Sequence, residues 1–428
     1  MSKAYELFLD MKKKENMNTK KSNKIRWFAW SLVTFFYAYQ YILRVMPSIL
    51  MDDIVKKFGI SPNAFGQFSG VYYLGYSLMH LPVGIFLDRF GPKRVLPLLI
   101  ASTSLGLLPI LYTDAFIYPV LGRALIGIGS SGAILGVFKV LHLYFDHRTF
   151  SRFLSFSVTI GVLGGIYGGA PIHFAREHFG FENVVLALIV VSLILALISY
   201  LGMPHEEPLA RDSTMLQSLI NVFANKRLLL VCFIAGFMVG PMEGFADVWG
   251  VQFLKIFHGL SDSVASGLPS FIYIGMCCGG PIISFLMERT GKIFHLVLVC
   301  AVVMGASFAL MSMVQLSAFT LSLLMFVVGL CSSYQILMIT QVSDYVAEAD
   351  RSLSSVAANM IIMIFGYVFH SLIGKSIHWF SLLEGVDGFR DPHVLRLGIS
   401  CIPAFLLLSG LLLFWIIRQK SFNTSSTS

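Results

Sequence analysis

At 428 residues, 56% hydrophobic and only 13% charged, the chain is too apolar for a water-soluble domain, where about 25% of residues are charged. Its net charge of +8 sits mostly in short segments between apolar runs, which argues against a nucleic-acid partner. Cys232, Cys277, Cys278, Cys300, Cys331 and Cys401 all lie inside apolar runs without C-x-x-C spacing, so they read as small core hydrophobes rather than a disulfide or metal framework.

The first 26 residues are a polar, lysine-rich tail without the short apolar core and small-residue cleavage site of a signal peptide. The first span is therefore expected to act as an uncleaved anchor. Apolar stretches long enough to cross a bilayer then follow at 27–50, 65–87, 95–113, 117–144, 151–174 and 183–203. After the longest polar interruption, 204–226, six more follow at 227–254, 266–287, 293–315, 318–343, 352–375 and 395–418. The expected architecture is an all-α polytopic membrane protein of twelve transmembrane helices. It divides into a tail (1–26), an N-terminal six-helix bundle (27–203), a linker (204–226), a C-terminal six-helix bundle (227–418) and a disordered tail (419–428). Within the linker, 215–220 is amphipathic and suited to the membrane surface.

Lysine and arginine set the orientation. If the N-terminus is inside, only Lys56, Lys57, Arg176, Lys255, Arg390 and Arg396 fall outside. Arg44, Arg123, Lys139 and Lys375 lie in or at the ends of spans, and the rest of the 31 basic residues are inside. Both termini are expected in the cytoplasm, in a plasma (bacterial inner) membrane.

The two halves repeat. Leu87-Asp88-Arg89-Phe90-Gly91 returns 200 residues later as Met287-Glu288-Arg289-Thr290-Gly291. Phe58-Gly59-Ile60-Ser61 returns one residue looser from Phe257 to Ser261. Gly127-Ile128-Gly129-Ser130-Ser131 returns, offset by 202, as Gly329-Leu330-Cys331-Ser332-Ser333. A duplicated polytopic protein usually places its working site between the copies. The copies diverge at Leu43-Arg44 against Glu243-Gly244 and at Gly132-Ala133 against Tyr334-Gln335, where substrate choice is to be sought.

The loop Gly84-Ile85-Phe86-Leu87-Asp88-Arg89-Phe90-Gly91-Pro92-Lys93-Arg94 resembles the signature loop of the major facilitator superfamily between spans two and three. Arg123-Ala124-Leu125-Ile126-Gly127-Ile128-Gly129 resembles the same family's arginine-then-glycines pattern in span four. The resemblance covers residues 26–418 and implies two pseudo-symmetric six-helix bundles, alternating access, and a cavity lined by spans 1, 4, 7 and 10. Asp88, Arg89, Glu288 and Arg289 would form latches that break as the bundles rock; an ordinary charged turn is the alternative. Leu43-Arg44-Val45-Met46-Pro47-Ser48 and Tyr72-Tyr73-Leu74-Gly75-Tyr76 are similar to bacterial permeases related to the lysosomal dipeptide transporter. The glycines of span five (Gly161, Gly164, Gly165, Gly168, Gly169) lack the Gly-Pro pair of drug antiporters and suit close helix packing.

Ionisable groups inside a membrane are costly and mark candidate functional sites. Tyr37, Gln40, Tyr41 and Arg44 form one polar stripe on span 1. Arg44, 18 residues past Arg26, sits about 27 Å further along the helix, so it either faces the cavity or snorkels to the outer headgroups. On span 7, Gly236, Gly240, Glu243, Gly244, Asp247 and Gly250 share a face, with Pro241 placed to loosen the helix. Glu243 and Asp247, one turn apart, can carry a proton or form a salt bridge that closes an outer gate, with Arg44 as candidate partner. Arg123 and Lys139 cannot both face the cavity; Arg123 is the better candidate, and Lys139 is expected to snorkel. Tyr334, Gln335 and Gln341 on span 10 can orient a polar solute or bond to neighbouring helices.

His80, His142, His173 and His370 show no ligand spacing, and no G-x-x-x-x-G-K-[ST] loop is present. Neither a metal nor a cofactor is expected. The expected function is a secondary active transporter of a small polar solute, best a carboxylate-bearing organic acid, amino acid or dipeptide, coupled to protons. It acts as a monomer with the lipid bilayer and solute as partners. The competing expectations are a non-transporting sensor on the same fold and a membrane-embedded enzyme. The enzyme would need a nucleophile–base cluster, and none is visible.

Overall fold

The computed structural model describes residues 2–204 and 222–419. The amphipathic 215–220 and the tail from 420 lie outside the described residues. The twelve principal helices are α1 (Ser2–Ile49), α2 (Pro62–Phe90), α3 (Pro92–Tyr112), α4 (Ile117–Tyr144), α5 (His147–Tyr167, then Ala170–Phe179) and α6 (Phe181–Gly202). The second half holds α7 (Lys226–Ile256), α8 (Asp262–Thr290), α9 (Ile293–Met313), α10 (Ala318–Ser343), α11 (Arg351–Glu384) and α12 (Pro392–Ile399, then Cys401–Arg418). Eleven of them, α2 to α12, are long and apolar enough to cross a membrane. The 27–49 part of α1 is more polar, with Tyr37, Tyr39, Gln40, Tyr41 and Arg44 among its apolar residues. Every expected span therefore has its helix. The polar tail, expected as a separate segment, continues α1 back to Ser2, and α11 runs nine residues beyond its expected end.

Local chemistry sets the boundaries. The Ser61 hydroxyl caps α2 by accepting from the Ala64 N–H at 3.3 Å, with Pro62 at the first helical position. Gly91, at φ 76°, ends α2 and Pro92 starts α3. Its repeat partner Gly291, at φ 62°, ends α8. Asn225 caps α7, Ser317 caps α10 and Asp391 caps α12.

The packing repeats as the sequence does. The pairings α1–α5, α2–α4 and α3–α6 recur as α7–α11, α8–α10 and α9–α12. The repeated glycines explain why. Gly75 lies on the Ala124 carbonyl and Gly127 on the Tyr72 carbonyl; Gly275 and Gly329 meet the Phe326 and Ile272 carbonyls in the same way. A side chain at any of the four would separate the helix backbones. Between the halves, α2 packs along α11, α5 meets α8, and α1 meets α7.

Lys24 and Arg418 lie on one face of the bundle, the terminal face. Asp52, Arg176, Lys255 and Arg390 lie on the opposite, distal face. Glycines let the halves approach closely on the distal side of the molecule: Gly66 against the His370 carbonyl and Gly374, Gly70 against Tyr367, Gly366 against Tyr73, and Gly169 against the Ser266 carbonyl.

Candidate functional site

Where α1, α2, α7 and α8 converge, one carboxylate collects three donors. Asp247 Oδ2 accepts from Arg44 Nε at 2.6 Å and from the Tyr73 hydroxyl, and its Oδ1 accepts from the Tyr273 hydroxyl at 2.5 Å. Arg44 Nη2 reaches Glu243 Oε1 at 2.7 Å. All of this is buried: Arg44 is 8% exposed, Glu243 3% and Asp247 0%. The other Glu243 oxygen, Oε2, is buried without a hydrogen-bond partner among the described residues. Arg44 also lies 5.0 Å from the Tyr41 ring and 5.2 Å from the Tyr73 ring, within cation–π reach.

The backbone of α7 makes this arrangement. Residues Phe245–Trp249 form a π turn between the α-helical segments Lys226–Gly244 and Gly250–Ile256. The extra residue per turn changes the angle at which Asp247 leaves the helix, so that Glu243 and Asp247 engage different nitrogens of one guanidinium. The loosening expected near Pro241 thus appears just beyond it. The glycine stripe of α7 differs from expectation in its direction. Gly236, Gly240 and Gly244 face Phe365, Phe369 and Ile373 of α11 and serve packing.

The predicted polar stripe of α1 is inside the protein. Tyr37 meets Tyr41 edge-on at 5.5 Å, Tyr41 meets Tyr273 at 6.2 Å, and Gln40 Oε1 accepts from the Tyr72 hydroxyl at 2.6 Å. Arg44 therefore points to α7 rather than to headgroups. Arg123 is 1% exposed and donates to the Leu43 and Arg44 carbonyls at 2.5 and 2.9 Å, with Tyr72 under its guanidinium at 4.8 Å.

On α10, the Tyr334 hydroxyl donates to the Ala235 carbonyl of α7 at 3.0 Å, and the side chain is fully buried. Gln335 is half-buried, and Gln341 is half-buried beside Asp344 at 3.4 Å, near the terminal face. The structure does not bring these three to the Arg44 cluster. At the α2 end, Asp88 Oδ1 receives Lys139 Nζ of α4 at 2.9 Å, so the lysine expected to snorkel finds the loop carboxylate. Arg89, Glu288 and Arg289 are exposed on the same face.

Two features escaped the sequence. Tyr73 and Tyr273 complete the Asp247 shell, and Tyr72-Tyr73 stood in a recognised motif without an assigned role. A distal ionic layer links Lys255 to Asp52 at 3.2 Å and to Asp262 at 3.1 Å, and Arg176 to Asp53. Among the described residues, no group of three or more metal-ligating side chains occurs.

The family model described as Major Facilitator Superfamily matches residues 30–370. An uncharacterized transporter of Buchnera aphidicola subsp. Schizaphis graminum is 29% identical over 185 residues, 41% of this chain and 46% of its own length. The chain thus spans under half of that relative. An uncharacterized transporter of Bacillus subtilis (strain 168) is 23% identical over 322 residues, 68% of this chain and 73% of its own. Among solved structures, a bacterial homolog of the human lysosomal transporter Spinster, inward-facing and unoccupied, aligns with a TM-score of 0.76 over 94% of this chain and 99% of that one. At 16% identity this is a likeness of fold.

Proposed function

The chain belongs to the Major Facilitator Superfamily, and from that premise we propose that it is a secondary active transporter of a small polar, carboxylate-bearing solute. An organic acid, an amino acid or a dipeptide fits. The N- and C-terminal bundles, 27–203 and 227–418, rock about the site between them, with both termini in the cytoplasm and the distal face outside.

The observation that carries this reading is the bridge from Arg44 of one half to Glu243 and Asp247 of the other. Removing one partner of a buried ion pair strands the other, at about 3–5 kcal/mol. A gate of this kind opens only when something else satisfies the charges. A solute carboxylate can take the Arg44 fork, and a proton on Glu243 cancels the charge left behind. Coupling of solute and proton follows from that exchange. Tyr37, Gln40 and Tyr41 line the path beside Arg44. Gln335 and Gln341 stand nearer the terminal face, where a solute leaving for the cytoplasm passes them last. The Asp88–Lys139 pair fixes the end of α2 to α4, and Arg89, Glu288 and Arg289 are the surface charges of the two latch loops.

The test is uptake into proteoliposomes, with candidate solutes chosen by a thermal-shift screen, since a ligand stabilises the state it binds. We expect accumulation driven by an inward proton gradient. It should be lost in Arg44→Gln and uncoupled from the gradient in Glu243→Gln. Full gradient-driven accumulation in both Glu243→Gln and Asp247→Asn would overturn the coupling. Saturable binding without uptake by any screened ligand would favour a sensor.

A further inference from the structure

Arg123 is a guanidinium buried at 1% exposure with no acidic partner among the described residues. What it touches is backbone. Its Nη1 donates to the Leu43 carbonyl at 2.5 Å and its Nη2 to the Arg44 carbonyl at 2.9 Å. These carbonyls have a reason to need it. In an uninterrupted helix the Leu43 carbonyl would be held by the N–H of residue 47, and residue 47 is Pro47, which has none. An apolar helix core offers no water to replace it.

The surrounding contacts hold the same stretch. Tyr72 lies under the Arg123 guanidinium at 4.8 Å and donates its hydroxyl to Gln40, one turn before Arg44. Gly127, one turn after Arg123, lets α4 sit on the Tyr72 carbonyl and so keeps that ring in place. Residues 40, 43 and 44 of α1 are thus gripped from α2 and α4. Arg44 must present two nitrogens to two carboxylates on α7, and a rotation of α1 by a few tens of degrees would break one of those bonds.

We infer that Arg123 is a positioning residue: it caps the carbonyl that Pro47 leaves open and so aims Arg44 at Glu243 and Asp247. Its effect on solute binding is indirect, because both terminal nitrogens are already spent on α1 and Nε, which has no partner among the described residues, is itself buried. The inference rests on the reading of the Arg44 bridge as the distal gate.

The inference predicts a suppressor. Restoring an N–H at position 47 gives the Leu43 carbonyl its helical partner and lessens the need for Arg123. The experiment measures the distance between spin labels at Lys56 and Arg390, one on each half of the distal face, in the purified full-length chain without ligand. Wild type should give a single short distance. Arg44→Ala and Arg123→Gln should each add a longer population, Arg123→Lys a smaller one. Pro47→Ala combined with Arg123→Gln should recover at least half of the lost short population, and with it the thermal midpoint. If Arg44→Ala opens the distal face and Arg123→Gln does not, Arg123 does not position Arg44. A double variant as open as Arg123→Gln alone equally overturns the proposal. If Arg44→Ala leaves the distances unchanged, the gate reading fails, and recovery of the Arg123→Gln midpoint by Pro47→Ala still decides the capping claim. Should Arg123→Gln not fold, Arg123→Lys with and without Pro47→Ala carries the same comparison.

Discussion

Glu243 and Asp247 sit one turn apart on α7, yet their surroundings are unequal. Asp247 has both oxygens occupied by Arg44, Tyr73 and Tyr273, whereas Glu243 has one oxygen on Arg44 and one without a partner. Hydrogen bonds to a charged group are worth about 1.5–3 kcal/mol each. We therefore predict that Asp247→Asn lowers stability by about 3 kcal/mol or more, and that Glu243→Gln, which keeps an acceptor for Arg44, costs about 1 kcal/mol. Thermal or denaturant unfolding in detergent ranks them, and equal losses would refute the division of labour. A second residue gives a pH prediction. Burial lowers the pKa of His258, on the distal loop between α7 and α8, below its usual 6.5, and its Nδ1 accepts from the Leu316 N–H at 3.2 Å. The folded protein holds His258 neutral while the unfolded chain binds the proton, so this stability is full above about pH 6.5 and is lost as pH falls. A variant with His258→Gln should show a flatter decline in midpoint between pH 7 and pH 5. Intramembrane charge made Arg44, Glu243 and Asp247 legible in the sequence. Tyr73 and Tyr273 were not, because which of 16 tyrosines meets a given carboxylate depends on the rotation of α2 and α8.

Helices with the right length were read from apolar runs, and α4 and α10 end where the sequence put them. Their internal breaks were less visible. The π turn at Phe245–Trp249 changes the period over a single turn, too briefly for any pattern of hydrophobic residues to register. The α7 glycines misled for a related reason: small residues fit a cavity face and a tight packing face equally well, and here Phe365 and Phe369 fill the space. Glycines within one half and glycines between the halves should respond differently to an added side chain. Gly275 lies within the second half, against the Phe326 carbonyl, so Gly275→Val should lower stability in every state. Gly66 touches the His370 carbonyl and Gly374 across the halves, so Gly66→Val clashes only while α2 and α11 are together distally. It should leave the thermal midpoint nearer wild type and shift the Lys56–Arg390 label distances outward. If Gly66→Val costs as much stability as Gly275→Val with unchanged distances, α2–α11 contact is fixed scaffold rather than a moving interface.

Across the whole molecule, the repeat does two jobs, which meet at the equivalent tyrosines Tyr73 and Tyr273, both donors to Asp247. Where the copies agree, at Gly75 with Gly275, Gly127 with Gly329, and Gly91 with Gly291, they build the same helix pairs and helix ends twice. Where they differ, they make the bridge: Arg44 reaches Glu243, which is the repeat counterpart of its own neighbour Leu43. A pseudo-twofold arrangement brings equivalent positions face to face, so a charge on one copy can be answered only by sequence divergence in the other. That logic says nothing about which face looks outward; basic residues do. The terminal face carries Lys93, Arg94, Arg289 and Lys292 at its helix ends and short turns, and an excess of lysine and arginine stays in the cytoplasm. The distal layer pairs its cations instead, Lys255 with Asp52 and Asp262, Arg176 with Asp53. We predict that a cysteine replacing Lys56 reacts with a membrane-impermeant maleimide in intact cells, whereas one replacing Lys93 reacts only after permeabilisation. The reverse pattern would place the distal face in the cytoplasm. The Arg44 bridge would then close the inner gate.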